Sequence, residues 1–402
     1  MNEVRAIVEA FDEAGKRGES CALATVVSVE GSSYRGPGAR MSVCEGGTSI
    51  GTISAGCLEL DVIEHAKQVI QTNVPKLIEY DTSSTSDELA WGLGLGCNGI
   101  VQLLVVPLPP DSPYINALRA SCNVNAAPVL VATVYHDTAY KSALDAAPIE
   151  TGARVYLYAD GTVACEKLSE PDSVVVERLM RELVVAEMSP ATQVRALNNG
   201  GVKVFIETLL PPVHLVVFGA GHDALPVIEL ARGLGWTTEV VDPQARLASV
   251  SRFASADRLV LSHPDEVGAQ VTVTQRTLTL LMTHNYAQDL QLLQFLLASP
   301  ARYIGIMGSR KRTERLLSDL TVDEEAHCLN ANVSRLHFPV GLDIGSNSPA
   351  EIALSVIAEM QAVLEGRSGG MLRNRRGSIH GELPGSQPRS ASVEQDASAA
   401  VA

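Results

Sequence analysis

The sequence is poor in aromatic residues, in positive charge and in long apolar segments. Aromatic residues make up only 4% of its 402 residues, so the core is expected to consist mainly of Val, Leu, Ile and Ala. Asp and Glu number 46 against 31 Lys and Arg, which gives a net charge of −15. A protein that coats nucleic acid needs a basic face, so that function is not expected. No uncharged apolar run reaches the roughly 18 residues of a membrane-spanning helix, so no membrane association is expected.

Cysteine is also scarce, and no Cys-x-x-Cys pair occurs that would indicate a zinc ribbon or a thioredoxin-type motif. The seven cysteines are Cys21, Cys44, Cys57, Cys97, Cys122, Cys165 and Cys328. Thin, odd usage of this kind is typical of free thiols in a reducing compartment. The first residues carry acids where a signal peptide would have its apolar core, so we expect a cytoplasmic protein that begins with an amphipathic helix.

The length predicts two or three domains at roughly 150 residues each, and the pattern favours two domains with a tail. Residues 1–210 contain short strands and a few helices, which predicts an α+β domain. Residues 211–366 alternate strands and helices, which is typical of a Rossmann-like, doubly wound parallel sheet. Residues 367–402 are rich in Gly, Ser and Arg and are predicted to be a disordered tail. The predicted fold class is therefore α/β.

A glycine-rich turn follows the first predicted strand of the second domain. Gly219 and Gly221 stand in Gly-x-Gly-x-x-Ala before a helix, and Asp242 ends the next strand about twenty residues on. Such glycines let a pyrophosphate approach helix N–H groups, and such an acid can bind a ribose hydroxyl. A Rossmann sheet with an empty or altered nucleotide site would show the same pattern. His222 lies either at the mouth of the site or in a solvent-exposed turn.

Two further loops are expected at the same edge of the sheet, because the carboxyl ends of parallel strands lie together. One contains His284, after the strand TLTLLM, and the other contains Ser309 and Arg310, after the strand YIGIM. Ser309 as helix N-cap, followed by the three cations Arg310, Lys311 and Arg312, can hold an anion such as phosphate. The alternative is an ordinary solvated helix start.

Two cysteines lie in loops rather than in strand-like segments. Cys57 directly precedes a predicted helix, where backbone dipoles stabilise a thiolate, and Cys97 lies in a glycine-rich turn. They form either a soft-metal or sulfur-handling pair or two buried thiols. Cys21, Cys44, Cys122 and Cys165 are better explained as packing residues, and Cys328 has no assignable role.

The chain resembles the XdhC/CoxI type of xanthine dehydrogenase accessory factor. In the first domain the resemblance rests on EGSSYRGPGARM, GTISAGCLELDV and WGLGLGCNG. In the second it rests on VVFGAGHDA, VVDPQAR, LMTHNYAQDL, YIGIMGSRKR and HFPVGLDIGSNSPAEIALSVIAEM. The segment from about residue 109 to 209 carries no motif that we can match.

This resemblance implies a chaperone, rather than an enzyme, that binds the molybdenum cofactor (molybdopterin), supports its sulfuration and inserts it into an apo xanthine dehydrogenase-class enzyme. A cysteine desulfurase as partner and a homodimeric state are also implied. The family's important cysteine positions match Cys57 and Cys97, which makes both possible molybdenum contacts. Ala55 and Asn98 depart from the glycines usual in the family, which affects the expected ligand preference more than the role.

Two other functions remain open from the residues. The glycine turn allows an NAD(P)-dependent oxidoreductase whose first domain binds substrate. Alternatively, Cys57 and Cys97 can serve a sulfur-transfer enzyme as a dithiol. In our working hypothesis the cofactor spans a cleft between the domains, with molybdenum towards the cysteines and phosphate towards the Rossmann edge.

Overall fold

A computed structural model describes residues 2–54, 56–81, 99–136, 149–184, 192–197, 201–242, 248–320 and 333–374. These residues form two antiparallel sheets and, in the C-terminal part, one parallel sheet. The predicted α/β fold class is therefore confirmed. Within the described part of the chain, no helix has the length and hydropathy needed to cross a membrane.

The first sheet is antiparallel and has a helix on each face. Its elements are α1 (Asn2–Arg17), β1 (Cys21–Gly31), β2 (Arg40–Cys44), β3 (Ser49–Gly51), α2 (Glu59–Thr72), β4 (Lys76–Asp81) and β5 (Gly99–Leu108). The strand order is β3-β2-β1-β5-β4. Helix α1 packs Ile7 and Phe11 on one face, while α2 packs Val62 and Ala66 on the other. Because both faces are covered, β1 is almost continuously apolar.

One expectation about the cysteines is wrong. The register of β1 and β2 places Cys21 directly opposite Cys44, with their Cα atoms 4.1 Å apart, and the two form a disulfide. Both side chains are buried in the core, as expected for packing residues, but they are not free thiols. The antiparallel register of β1 and β2 sets this pairing.

The second sheet is formed by the segment that carries no recognised motif. Its elements, with the helix that precedes it, are α3 (Pro113–Ser121), β6 (Val129–His136), β7 (Arg154–Tyr158), β8 (Val163–Glu166), α4 (Glu170–Val184), β9 (Gln193–Leu197) and β10 (Val202–Leu209), with strand order β8-β7-β6-β10-β9. On one face, Tyr135 and Phe205 share a core with Leu104 of the first sheet. Helix α4 covers the other face with Val176 and Met180.

A buried polar network joins these two sheets. Arg40 of β2 is ion-paired with Glu207 of β10, and the Tyr114 hydroxyl donates to Glu207 Oε1 at 2.5 Å. The guanidinium of Arg154 lies 4.4 Å from the centre of the Tyr114 ring. Buried charges are tolerated when they are paired in this way, so the network fixes how the sheets face each other.

The third sheet is parallel and has the strand order β13-β12-β11-β14-β15-β16. Its elements are β11 (His214–Phe218), α5 (Leu225–Gly233), β12 (Thr237–Asp242), α6 (Ala248–Arg252), β13 (Arg258–Leu261), α7 (Val267–Gln270), β14 (Thr277–Leu281), α8 (Tyr286–Ala298), β15 (Tyr303–Ile306), α9 (Arg310–Leu320), β16 (Leu336–His337) and α10 (Pro349–Leu364). Helices α5 and α10 pack on one face through Val227 and Met360. Helices α8 and α9 cover the opposite face through Leu292 and Leu316.

This arrangement places a topological switch point between β11 and β14. The chain leaves β11 towards one face of the sheet and leaves the neighbouring β14 towards the other. In sheets of this kind, ligands usually bind in the crevice outside the carboxyl edge at this point.

The run Ser348-Pro349-Ala350-Glu351 predicts a helix start with an N-cap, a first-turn proline and a capping-box glutamate, and the final helix begins in this way. The Ser348 hydroxyl accepts a hydrogen bond from Glu351 N, the Glu351 carboxylate accepts from Ser348 N, and Pro349 occupies the first helical turn. Of the predicted tail, residues 367–374 are described, and residues 375–402 lie outside the described part.

Candidate functional site

The loop that carries Cys57 is closed by two side chains. Ser54 Oγ accepts hydrogen bonds from Cys57 N and Leu58 N, both at 3.1 Å, and donates to Glu59 Oε2 at 2.5 Å. Glu59 Oε1 in turn accepts from Ser54 N at 2.8 Å. Cys57 is half-buried and packs against the core under α2. The side-chain hydrogen bonds therefore hold the thiol at the start of α2, where the sequence placed it.

The Glu59 carboxyl is held in its charged form. Burial alone raises its pKa, but the hydrogen bonds from the Ser54 hydroxyl and from the amides of Ser54 and Ile53 together outweigh that effect. The net result is a pKa below the ordinary value. A fixed negative charge thus lies two residues from Cys57, where it also complements the N-terminal end of the α2 dipole.

The motif GSSYRGPGAR lies against the cysteine loop. Arg35 forms a two-pronged ion pair with Glu3 of α1, with the closer contact at 2.8 Å, and its Nη1 also donates to Thr52 Oγ1 at 2.7 Å. Thr52 N donates to Glu3 Oε1 at 2.8 Å. Glu3 therefore fastens both loops to α1. Sequence analysis missed Glu3, because only the folded chain brings it near residues more than thirty positions away.

The ends of β1 and β4 lie beside these loops and explain why the motif WGLGLGCNG ends in a glycine, Gly99. Gly99 pairs with Gly31 at the end of β1, and β4 ends at Asp81 next to the same position. A Cβ on Gly99 would lie 2.5 Å from Glu30 O and 2.6 Å from Ser32 O, so no other residue fits there. Cys97 precedes Gly99 by two positions in the sequence and lies outside the described residues.

Among the described residues, two further cysteines are free. The thiol of Cys122 donates to Leu118 O at 3.4 Å, and burial raises its pKa. Cys165 is exposed on β8. Cys328 lies outside the described part. No group of three His, Cys, Asp or Glu side chains in the described ranges has the arrangement of a metal site.

The glycine turn after β11 has the geometry that its sequence predicts. Gly219 has φ +123°, and a Cβ there would lie 2.4 Å from Met282 O, so the turn packs tightly on the loop after β14. Gly221 follows, and His222 begins a single turn of 3-10 helix that leads into α5. The His222 side chain is exposed to solvent at this turn. These residues lie at the carboxyl edge of the sheet.

A hydrogen bond crosses the crevice at this turn. His284 Nε2 lies 2.7 Å from Asp223 Oδ2, which links the loop after β14 to the turn after β11. His284 has φ +58°, a left-handed conformation that is strained for a residue with a side chain. The sequence marked His284 as a candidate, but gave Asp223 no role. The sequence does single out Asp223 in one respect, because it is a polar residue at a turn position where many dehydrogenases have a small apolar residue.

The remaining predicted residues differ in accessibility. Asp242 ends β12 as expected, but its side chain is fully buried. Ser309 Oγ accepts a hydrogen bond from Arg312 N at 3.4 Å, which is the predicted N-cap geometry. Arg310 is exposed at the start of α9. These residues share the carboxyl edge with the glycine turn, whereas Cys57 belongs to the first sheet.

Arg312 is not available for a ligand in the way that the sequence indicated. Its Nη2 lies 2.7 Å from Asp289 Oδ2, and the Thr283 hydroxyl donates to Asp289 Oδ1 at 2.5 Å. Asp289 is 1% exposed, so this pair is structural. It joins α8, α9 and the loop after β14 beside His284, and leaves Arg310 and Lys311 as the exposed cations at this helix start.

Comparison with known proteins matches both halves of the chain. Residues 14–81 match the model of the XdhC and CoxI family, and residues 215–360 match that of the XdhC Rossmann domain. A Bacillus subtilis protein named as a probable xanthine dehydrogenase component is 30% identical over 344 residues, which cover 85% of this chain and 92% of that protein. This chain belongs to the XdhC/CoxI family.

Two further relatives agree with this assignment. The uncharacterized protein YqeB of Escherichia coli is 31% identical over 177 residues, which cover 43% of this chain and 31% of YqeB. A crystal structure titled as a xanthine dehydrogenase from Bacillus halodurans superposes with a TM-score of 0.69 at 28% identity. That match covers 90% of this chain and 96% of the other, so the two antiparallel sheets and the Rossmann sheet occur together in a relative.

Proposed function

We propose that this XdhC/CoxI-family protein assists the maturation of a xanthine dehydrogenase-class enzyme by binding the molybdenum cofactor, supporting its sulfuration and delivering it. Membership of the family and the relatives named as xanthine dehydrogenases support the choice of client. The observation that carries the cofactor role is the loop in which Ser54 and Glu59 hold Cys57 at the start of α2.

The residues of this loop suit a soft metal with sulfur ligands. A thiolate is the preferred protein ligand for such metals, and Cys57 is half-buried rather than sealed in the core. Cys97 is the second proposed contact. It lies two positions before Gly99 in the sequence, and Gly99 begins β5 and pairs with the end of β1. In this proposal the loop binds and protects the metal end of the cofactor while a cysteine desulfurase supplies sulfur.

The phosphate end of the cofactor is proposed to bind at the carboxyl edge of the Rossmann sheet. Arg310 and Lys311 are exposed there, and backbone N–H groups at a helix start favour an anion. His284 and Ser309 line the same edge. The proposal also includes a homodimeric state and a client enzyme that binds to the surface of this acidic protein.

The experiment that tests the role is activation of the client in cells. A strain that lacks this protein is complemented with wild type, Cys57→Ser or Cys122→Ser, and xanthine oxidation is measured in extracts. Wild type and Cys122→Ser should restore activity, whereas Cys57→Ser should not. Full activity without the protein would refute the maturation role, and full activity with Cys57→Ser would refute the role of this thiol.

An NAD(P)-dependent oxidoreductase is the second candidate function, because Gly219 and Gly221 follow a strand as in dinucleotide-binding proteins. Titration with NADH and NADPH distinguishes the two functions. Tight binding with turnover of a substrate would support the oxidoreductase and count against the chaperone.

A further inference from the structure

The carboxylate of Asp223 lies on the glycine turn itself. A Cβ added to Gly221 would lie only 2.3 Å from Asp223 Oδ1, so this oxygen is directly beside the second glycine of the motif. In a dinucleotide-binding Rossmann fold, that glycine is small so that the pyrophosphate can approach the backbone. Here, the space that the glycine provides is taken by a side chain of the chain itself.

Asp223 also supplies the charge that a ligand would otherwise supply. It lies in the short 3-10 turn that leads into α5, where N–H groups and the helix dipole attract an anion. A carboxylate at this position already satisfies that preference. A pyrophosphate at the same place would meet a like charge at short range, which is unfavourable in a partly desolvated crevice.

The carboxylate is held in place rather than free to swing away. His284 Nε2 donates to Asp223 Oδ2 at 2.7 Å, and the neighbouring Thr283 is fixed by its hydrogen bond to the buried Asp289. Asp289 is itself paired with Arg312 of α9. Displacing Asp223 would therefore break a contact whose other side is anchored to two helices.

We infer that Asp223, held by His284, is a specificity-determining residue that keeps the pyrophosphate of a dinucleotide off the glycine turn. The turn then accepts hydrogen-bond donors such as hydroxyl or ring N–H groups, and phosphate is directed to the exposed cations at the start of α9. This inference refines the proposed function, since it rests on the carboxyl edge being the ligand site and separates that site from a nicotinamide nucleotide site.

Calorimetric titration of the full chain with ADP, the pyrophosphate-bearing half of a dinucleotide, tests this inference. Asp223→Asn keeps the size of the side chain and removes its charge, so it should bind ADP about tenfold or more tightly than wild type. The matched control is Glu182→Gln on α4, which makes the same charge change on the helix that covers the second sheet and should leave ADP binding unchanged.

The same titration is carried out on two further variants. Asp223→Ser, which retains a capping oxygen, should show the same gain if Asp223→Asn does not fold. His284→Gln removes the imidazole that holds the carboxylate but keeps its charge, so it should show a smaller gain than Asp223→Asn. Wild type that binds ADP or NADH as tightly as Asp223→Asn would overturn the inference, as would an equal gain in Glu182→Gln. The molybdenum content of the same preparations tests the proposed function separately, because it does not depend on ADP.

Discussion

Asp289 Oδ2 and Arg312 Nη2 lie 2.7 Å apart and form the ion pair that joins α8 to α9 beneath the loop of His284. Asp289 is 1% exposed and also accepts the Thr283 hydroxyl, so removal of its carboxylate leaves a buried guanidinium and a hydroxyl without this partner. We expect Asp289→Ala to lower the free energy of unfolding by about 3 kcal/mol. Urea unfolding measures this change.

The control for that prediction is Asp319→Ala on the exposed face of α9. Asp319 accepts a hydrogen bond from Tyr286 at 2.7 Å, but the contact is exposed to solvent. Its loss should cost less than about 1 kcal/mol. Equal costs for the two substitutions would show that the Asp289 pair is not the anchor described here.

A substitution at Gly99 tests the close approach of β1 and β5 beside the cysteine loops. A Cβ there would meet two carbonyl oxygens, so Gly99→Ala should force β1 and β5 apart and lower the free energy of unfolding by about 1–3 kcal/mol. Gly36→Ala is the matched control, since nothing lies within 4 Å of a Cβ at that position. A Gly99→Ala protein as stable as Gly36→Ala would contradict the close approach of these strands.

The lowered pKa of Glu59 should make the free energy of unfolding depend on pH in acid. Its pKa is lowered in the folded protein, so its contribution to stability is fully present above its ordinary pKa of 4.5 and is lost as the pH falls through the lower folded value. The stability difference between wild type and Glu59→Gln should be constant above about pH 6 and shrink below the ordinary pKa. Urea unfolding across this range measures it, and a difference that grows in acid would contradict the assignment.

Substitutions at His284 test whether its left-handed backbone conformation is strained. At φ +58° an alanine retains the strain and loses the contact with Asp223, whereas glycine loses the contact but adopts this conformation freely. His284→Gly should therefore be about 1 kcal/mol more stable than His284→Ala. If the two variants unfold at the same urea concentration, the left-handed conformation is not a source of strain.

Local sequence signals predicted the helix starts and the glycine turn well. Ser348 with Glu351, Ser309 as N-cap and the turn at Gly219 all depend on residues a few positions apart, and the structure shows each of them. The residues Glu45-Gly46-Gly47 likewise predict a hairpin between β2 and β3, and the structure shows it. These features follow from backbone geometry and near-neighbour hydrogen bonds, which the sequence expresses directly.

The contacts that shape the candidate sites could not be predicted in the same way. Asp223 reaches His284 and Glu3 reaches Arg35 only because strand order and helix packing bring distant segments together. The pairing of Cys21 with Cys44 depends on the register of β1 and β2. The sequence pattern predicts the hairpin between β2 and β3 but does not specify this register. Sequence position alone therefore predicts Cys57 and His284 as candidates, but not the residues that hold them.

Cys57 is proposed to bind the molybdenum cofactor, and the cofactor content of the purified protein tests this role. Wild type, Cys57→Ser and Cys122→Ser are purified from molybdenum-replete cells, and molybdenum and pterin are measured per chain. Both components are expected in wild type and Cys122→Ser, and both should be lost from a folded Cys57→Ser protein. Wild type without pterin, or Cys57→Ser with an undiminished content, would contradict it.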